Sequence, residues 1–370
     1  MNSKQFNFMK KICFSIANYS NCGGTERVCE VITRHLCSKG YEIHVLSQWG
    51  DKPYFKFDDR VHTHQLISKF EKNFAERHPK YMILKNHIFY ALHHFDLIID
   101  VGLGMSNTTI PAIKNLKIKH LSWDHFSYYY YENMPFLHSA LNKVKVFSYG
   151  HVVLTQKDRE LYIEKQNENP KKVFQIYNPL TFQLPIYQEH ESKTVVAIGR
   201  FSYEKGFDML LKAWEQVESV IPDWNLQIWG YNGEDTGHVF DTYNNLKLRH
   251  TSLHNATTEI QDVLNSASIL VLPSRHEGLG LVLLEASAYS LAPIAFNCPN
   301  GPHELIKNGE NGILVPPENI NELAKAIIKL INNDAMRKKI AHNAYLNAHN
   351  FKIEKIINQW DNLIQAILKS

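Results

Sequence analysis

Short runs of aliphatic and β-branched residues alternate with stretches of helical spacing along most of this chain. In the first half, Lys11–Ala17, Glu42–Ser47, Leu97–Val101, His120–Trp123, His151–Leu154 and Val173–Ile176 predict strands. Between the first two, Gly24–Lys39 has the period of a helix, with Val28, Val31, Ile32, His35 and Leu36 on one side. The polar stretch Tyr187–Lys193 follows Asn178-Pro179 and Pro185 and is the best linker candidate. The pattern then restarts. Thr194–Gly199, Leu226–Trp229, Ala267–Leu272 and Pro293–Phe296 predict buried strands, and Gly206–Val220, Asn321–Ile331 and Ile353–Leu368 predict helices.

Strands that alternate with helices predict parallel sheets covered on both faces. The expected fold class is therefore α/β, with two Rossmann-like domains facing across a cleft. The expected boundaries are an N-terminal domain at 1–183 and a C-terminal domain at 184–352. A C-terminal helix at 353–370 is a candidate to cross back to the N-terminal domain. Ligands in open α/β sheets sit beyond the carboxyl ends of the strands. Each conspicuous polar cluster of this sequence follows a predicted strand, on that side.

Composition narrows the function classes. With 370 residues, 44% of them hydrophobic, the chain has enough apolar material for two ordinary domains. A net charge of only +3 gives no argument for nucleic acid as a partner. No run approaches the roughly 20 apolar residues that span a bilayer, and Met1–Phe14 makes a poor signal peptide. The expected location is the cytoplasm, with peripheral attachment at the cytoplasmic face of the inner membrane as a candidate. Cys13, Cys22, Cys29, Cys37 and Cys298 form no paired hooks, so buried free thiols are expected rather than disulfides or zinc.

Four clusters can carry chemistry. Asn21–Arg27 contains Gly23 and Gly24 at a strand-to-helix junction, where the backbone can approach an anion. It lacks the third glycine of a dinucleotide fingerprint and the Gly-Lys-Ser/Thr of a Walker loop, and an ordinary turn remains an alternative. Gly199–Gly206 holds Arg200 and Lys205 beside a helix start, where cations are electrostatically unfavourable unless an anion accompanies them. A guanidinium fork and an ammonium could neutralise a diphosphate leaving group. Ser274–Ala286 places Glu277 in a glycine turn with Gly278, Leu279 and Gly280, and Glu285 on the helix that follows. If both glutamates were helical, they would lie roughly 80° apart around the axis and roughly 12 Å along it. Burying Glu285 in an apolar helix calls for a partner, and paired ribose hydroxyls would serve. Asn297–Ile306 and Asn308–Gly312 form polar turns that can be read equally as turns alone.

Gly199-Arg200-x4-Lys205-Gly206, Glu277-Gly-x-Gly-x4-Glu285 and Asn311-Gly312-x-Leu314-Val315 occur here in one order. Together they resemble the retaining glycosyltransferases of family 4, which have the GT-B architecture. The resemblance covers most of 194–317 and extends weakly to Gly23-Gly24. It implies that Arg200 and Lys205 hold the donor diphosphate and that Glu285 binds the ribose. It further implies that Glu277 contacts the donor sugar and that amides around Gly278, Leu279 and Gly280 face sugar and diphosphate. Gly24 would face the phosphate and acceptor, and His125, in Trp123-Asp124-His125-Phe126, would lie near the transferred sugar. Leu279 stands where the family commonly has an aromatic residue, which bears on pocket shape.

The turn at Asn297–Pro302 resembles that of bacterial enzymes building lipopolysaccharide, capsule or lipid-linked oligosaccharide. The implied partners are a nucleotide-sugar donor, with UDP-sugar favoured, and a saccharide or lipid-linked saccharide acceptor. No cofactor and no metal are expected, in keeping with the lack of an Asp-x-Asp motif. Phe70–His94, with Lys72, Arg77, Lys80 and Lys85, and a second region of Tyr128–Tyr131, Phe136 and Lys143 make an anionic membrane surface a further candidate partner. A solvated helix face with core aromatics explains them equally. Two rival functions stay open: a UDP-sugar epimerase of the same architecture, and a sugar-nucleotide-binding protein without catalysis.

Overall fold

The computed structural model describes residues 9–132, 134–231 and 236–370. The chain divides into two compact units, Met1–Tyr177 with Glu354–Ser370, and Asn178–Ile353.

The first unit is built on seven parallel strands: β1 (Lys11–Asn18), β2 (Glu42–Trp49), β3 (His62–Gln65), β4 (Leu97–Val101), β5 (Lys119–Trp123), β6 (Gly150–Val153) and β7 (Val173–Gln175). Their order in the sheet is β3-β2-β1-β4-β5-β6-β7. The direction of strand order reverses between β1 and β4, which open a crevice at their carboxyl ends. β4 is buried along its whole length, as expected for a central strand covered on both faces. Helix Gly24–Ser38 buries Val28, Val31, Ile32 and Leu36, as its apolar period predicts. Helix Ile353–Lys369 belongs to this unit. Trp360 is fully buried with its ring 4.8 Å from that of Trp123, the Tyr41 hydroxyl donates to Asp361 at 2.7 Å, and Lys39 Nζ donates to Asn358 at 2.7 Å.

The second unit repeats the plan with β8 (Thr194–Ile198), β9 (Asn225–Gly230), β10 (Thr251–Asn255), β11 (Ile269–Leu272), β12 (Ala292–Phe296) and β13 (Ile313–Val315). The order is β10-β9-β8-β11-β12-β13, again all parallel. Here the reversal lies between β8 and β11. Leu210, Leu211, Trp214 and Val217 of helix Phe207–Val220 enter one core with Val195, Ala197, Leu226, Ile228 and Ile294.

The chain passes from one unit to the other at Tyr177–Asn178, ahead of the polar stretch at Tyr187–Lys193. That stretch is held on the second unit. His190 Nε2 bonds to the Tyr289 carbonyl at 2.7 Å, and Ser268 Oγ donates to the Ser192 carbonyl. All five cysteines are free; Cys13, Cys29 and Cys298 are buried as expected, whereas Cys22 and Cys37 are only partly buried. No helix among the described residues is long and apolar enough to cross a membrane.

Candidate active site

In the second unit the loops that follow β8 and β11 meet where the strand order reverses. The loop after β8 runs from Gly199 through a short 3-10 turn, Tyr203–Lys205, to Gly206, which begins the helix. Phe201 is buried and anchors the loop, with its N–H donating to the Tyr231 carbonyl at 2.8 Å. The Arg275 N–H donates to the Glu204 carbonyl at 2.8 Å and joins the two loops through backbone.

Two side-chain pairs complete the junction. Lys205 Nζ lies 2.6 Å from Glu277 Oε1, which also accepts the Ser274 hydroxyl at 2.7 Å. Arg275 grips Asp208 in a two-pronged pair at 3.0 and 2.9 Å, and its guanidinium lies 3.9 Å from the centre of the Tyr203 ring. Burial opposes ionisation of Asp208, but the hydrogen bonds and charge of Arg275 outweigh it, so this carboxyl sits below its ordinary value. Glu204 follows the same logic. Burial raises its pKa, whereas the Ser202 hydroxyl, its own N–H, Arg200 and Lys205 bring it down, and the net shift is downward. Arg200 and Lys205 are both half-buried. Three cations, Arg200, Lys205 and Arg275, and the carboxylates of Glu204, Asp208 and Glu277 thus gather at this loop pair, with Lys205 and Arg275 held against acidic partners.

The structure agrees with the glycine turn read from the sequence: helix Leu281–Ala288 starts only after Gly280, which has φ +87°. Glu277 therefore stands in the turn, and only Glu285 is helical. Glu285 is buried and accepts the Thr181 hydroxyl at 2.7 Å. Gly278 is half-buried, whereas the Leu279 side chain is buried. Behind this turn lies Gly301, with φ +92°. A Cβ there would come 3.0 Å from the Leu279 carbonyl and 3.1 Å from Glu277 Cβ. The Asn297–Pro302 turn consequently packs against the Glu277–Leu279 backbone, which makes it more than a surface connection. Burial pushes the Cys298 thiol of this turn up to about 12, with the Glu277 charge adding to the effect. It is inert as a nucleophile at neutral pH.

In the first unit, Gly23 and Gly24 lie between β1 and the helix that Gly24 opens. Gly23 has extended geometry, no side chain caps the helix, and Gly24 is exposed. His125 follows β5. It is buried, with its ring 4.2 Å from the Trp123 ring, and burial pulls its pKa down to about 3, so the imidazole is neutral at physiological pH. Its Nε2 and the Trp123 Nε1 are buried without a hydrogen-bond partner. An unpaired buried polar atom costs about 1–3 kcal/mol. Asp124 holds this loop in place: its N–H donates to the Val152 carbonyl at 2.8 Å, and it accepts the Tyr162 hydroxyl at 2.8 Å.

The site candidates of the second unit thus gather on the loops after β8 and β11, with Glu285 on the following helix. Gly24 opens the helix after β1, and His125 sits on the loop after β5. Sequence reasoning did not pick out Ser274 and Thr181, which hold the two glutamates, or the Arg275–Asp208 pair.

Comparison with known proteins assigns this arrangement to a family. The model described as "Glycosyl transferases group 1" matches residues 183–347. An uncharacterized glycosyltransferase of Haemophilus influenzae is 33% identical over 364 residues, covering 96% of this chain and all of that protein. The chain belongs to the group 1 glycosyltransferases. A further member of similar length, the amylovoran biosynthesis glycosyltransferase AmsD of Erwinia amylovora, is 28% identical over 96% of this chain and all of its own length. Among solved structures, a mutant of S. aureus TarM in complex with fondaparinux, alpha-GlcNAc-glycerol and UDP matches with a TM-score of 0.81 at 16% identity, over 96% of this chain and 99% of that one. That likeness shows the fold, which is GT-B. This group 1 glycosyltransferase is accordingly an enzyme, as the resemblance in sequence implied.

Proposed function

We propose that this glycosyltransferase moves a sugar from a nucleoside diphosphate donor, with UDP-sugar favoured, to a saccharide or lipid-linked saccharide in surface glycan synthesis. We further propose that it does so with retention at the anomeric carbon, as a member of family 4. The observation that carries this reading is the Lys205–Glu277 ion pair, with Arg200 on the same loop, where the strand order of the second sheet reverses, and Glu285 buried on the next helix. The polysaccharide role of AmsD and the UDP bound to TarM support the choice of product and donor.

In this mechanism Arg200 and Lys205 take the charge that develops on the leaving diphosphate, assisted by backbone N–H groups around Gly278, Leu279 and Gly280. Two cations on one loop supply the neutralisation for which other transferases use a divalent ion, so no metal is called for. Glu285 accepts hydrogen bonds from the ribose hydroxyls. Glu277, fixed by Lys205 and Ser274, orients the sugar rather than attacking it. The bond from the anomeric carbon to the phosphate oxygen breaks, and the acceptor oxygen bonds on the same face. The acceptor proton passes to the departing phosphate oxygen. The acceptor is expected on the first unit, where the resemblance has Gly23 and Gly24 serving the donor, Gly24 facing its phosphate and the acceptor, and His125 near the transferred sugar.

A lipid-bearing acceptor suits the Phe70–His94 stretch of the first unit, where Phe70 is 86% and Leu92 71% exposed and which also carries Lys72, Lys80 and Lys85. Flotation with anionic vesicles at low salt is expected to carry the protein upward; absence from the lipid fraction removes the membrane from the proposal. For the donor, the experiment is a screen of common sugar nucleotides by thermal shift and nucleotide release. One UDP-sugar is expected to raise the melting temperature by mass action and to release UDP slowly without acceptor. No response to any sugar nucleotide refutes the proposal.

A further inference from the structure

We propose that Glu42, His44 and His62 bind one zinc(II) ion, which pins the edge strand β3 to β2. Each residue offers one donor atom, and the three donors lie within 4.8 Å of one another. The register explains why. β2 and β3 run parallel with His44 opposite His62, and side chains alternate along a strand, so Glu42, His44, His62 and His64 share one face. Two imidazoles and a carboxylate form a donor set suited to zinc, with solvent as the fourth ligand.

The surroundings are those of a built site. His44 is buried, with its Nε2 3.0 Å from Glu42 Oε1 and its Nδ1 2.8 Å from His64 Nε2. With Nε2 on the metal, His44 Nδ1 carries the proton and donates it to His64, the outer hydrogen bond that orients a metal-bound imidazole. Phe95 and His93 wall the cluster, with ring centres 5.1 and 5.8 Å from that of His44. Lys11 Nζ also reaches Glu42 Oε1, at 2.9 Å. Both contacts fall on that one oxygen, which leaves Oε2 for the ion. His62 is exposed and gives the ion a way in.

The consequence is structural rather than catalytic. Glu42, His44 and His62 lie at the amino ends of β2 and β3, whereas Gly23, Gly24 and His125 follow the carboxyl ends of their strands. β3 is a four-residue edge strand with mostly exposed side chains, and a metal clip supplies the hold that its short ladder lacks.

The test is titration of the full chain with zinc chloride, followed by calorimetry and by melting temperature. One ion per chain is expected, with a rise of several degrees that a chelator reverses. His62→Gln, at an exposed position that can change without disturbing the core, is expected to weaken binding by at least about tenfold and to abolish the rise. His138→Gln, on another exposed histidine, is expected to bind like the wild type, and basal transfer is expected to be equal in all three proteins. Cobalt(II) is expected to give the visible bands of a four-coordinate ion without a thiolate charge-transfer band. No binding, equal binding by His62→Gln, or a thiolate band overturns the proposal.

Discussion

Replacing Arg200 and Lys205 together by alanine is expected to lower turnover of the sugar nucleotide by about 10³-fold or more, because each removed cation had stabilised charge formed only as the diphosphate leaves. The fold is expected to survive. The loop keeps its shape through the Phe201 N–H to Tyr231 bond and the Arg275 N–H to Glu204 bond, neither of which uses the two side chains. Glu277 keeps the Ser274 hydroxyl. The single variants separate the roles. Lys205→Ala also frees Glu277 from its 2.6 Å partner and is expected to impair both donor binding and turnover, whereas Arg200→Ala acts mainly on turnover. Nucleotide release, measured beside a urea midpoint, gives both readings. Near-normal release from a folded double variant would remove these residues from the chemistry.

Gly206→Ala is expected to have the largest effect on stability. Gly206 has φ +65°, which costs an L-residue about 1–2 kcal/mol. Its missing Cβ would also stand 2.0 Å from the Pro273 carbonyl oxygen, a backbone atom that cannot swing away. Adding the shift of that backbone, at the roughly 1–3 kcal/mol of an overpacked site, gives a loss of roughly 2–5 kcal/mol in urea unfolding. Pro273 follows β11 and precedes Ser274 and Glu277. Relief of the clash therefore drives the Lys205 loop and the Glu277 turn apart, and activity is expected to fall even where the variant remains folded. A stable, fully active Gly206→Ala protein would mean that the close approach of these two loops is not required.

The same loops show what a sequence can and cannot disclose. Core strands such as β8 and β11 are largely aliphatic runs, and the loops after β8 and β11 carry charges and glycines where an apolar period stops, so both were legible. The edge strands β3 and β10 were not. Their sequences, His-Thr-His-Gln and Thr-Ser-Leu-His-Asn, are polar because one side of each lies at the margin of its sheet. Only pairing with a neighbour makes them strands. Similarly, Ser274, Lys205 and Glu277 become one group, and Thr181 meets Glu285, by folding together positions up to 104 residues apart. Asp208 looks like an ordinary acidic residue in a helix's first turn until Arg275 is placed against it. His62 is distant in sequence from Glu42 and His44, and only the parallel register of β2 and β3 assembles the three.

The most direct test of the proposed reaction is the anomeric configuration of the sugar as it leaves the donor. Purified protein is incubated with the UDP-sugar that it turns over, and proton NMR follows the first sugar product, on an acceptor or on water, before mutarotation. The expected result is release of UDP in step with a product that keeps the donor's configuration. A product of inverted configuration, or a donor that stays intact with folded enzyme present, would contradict a retaining transfer at the Arg200, Lys205 and Glu277 site.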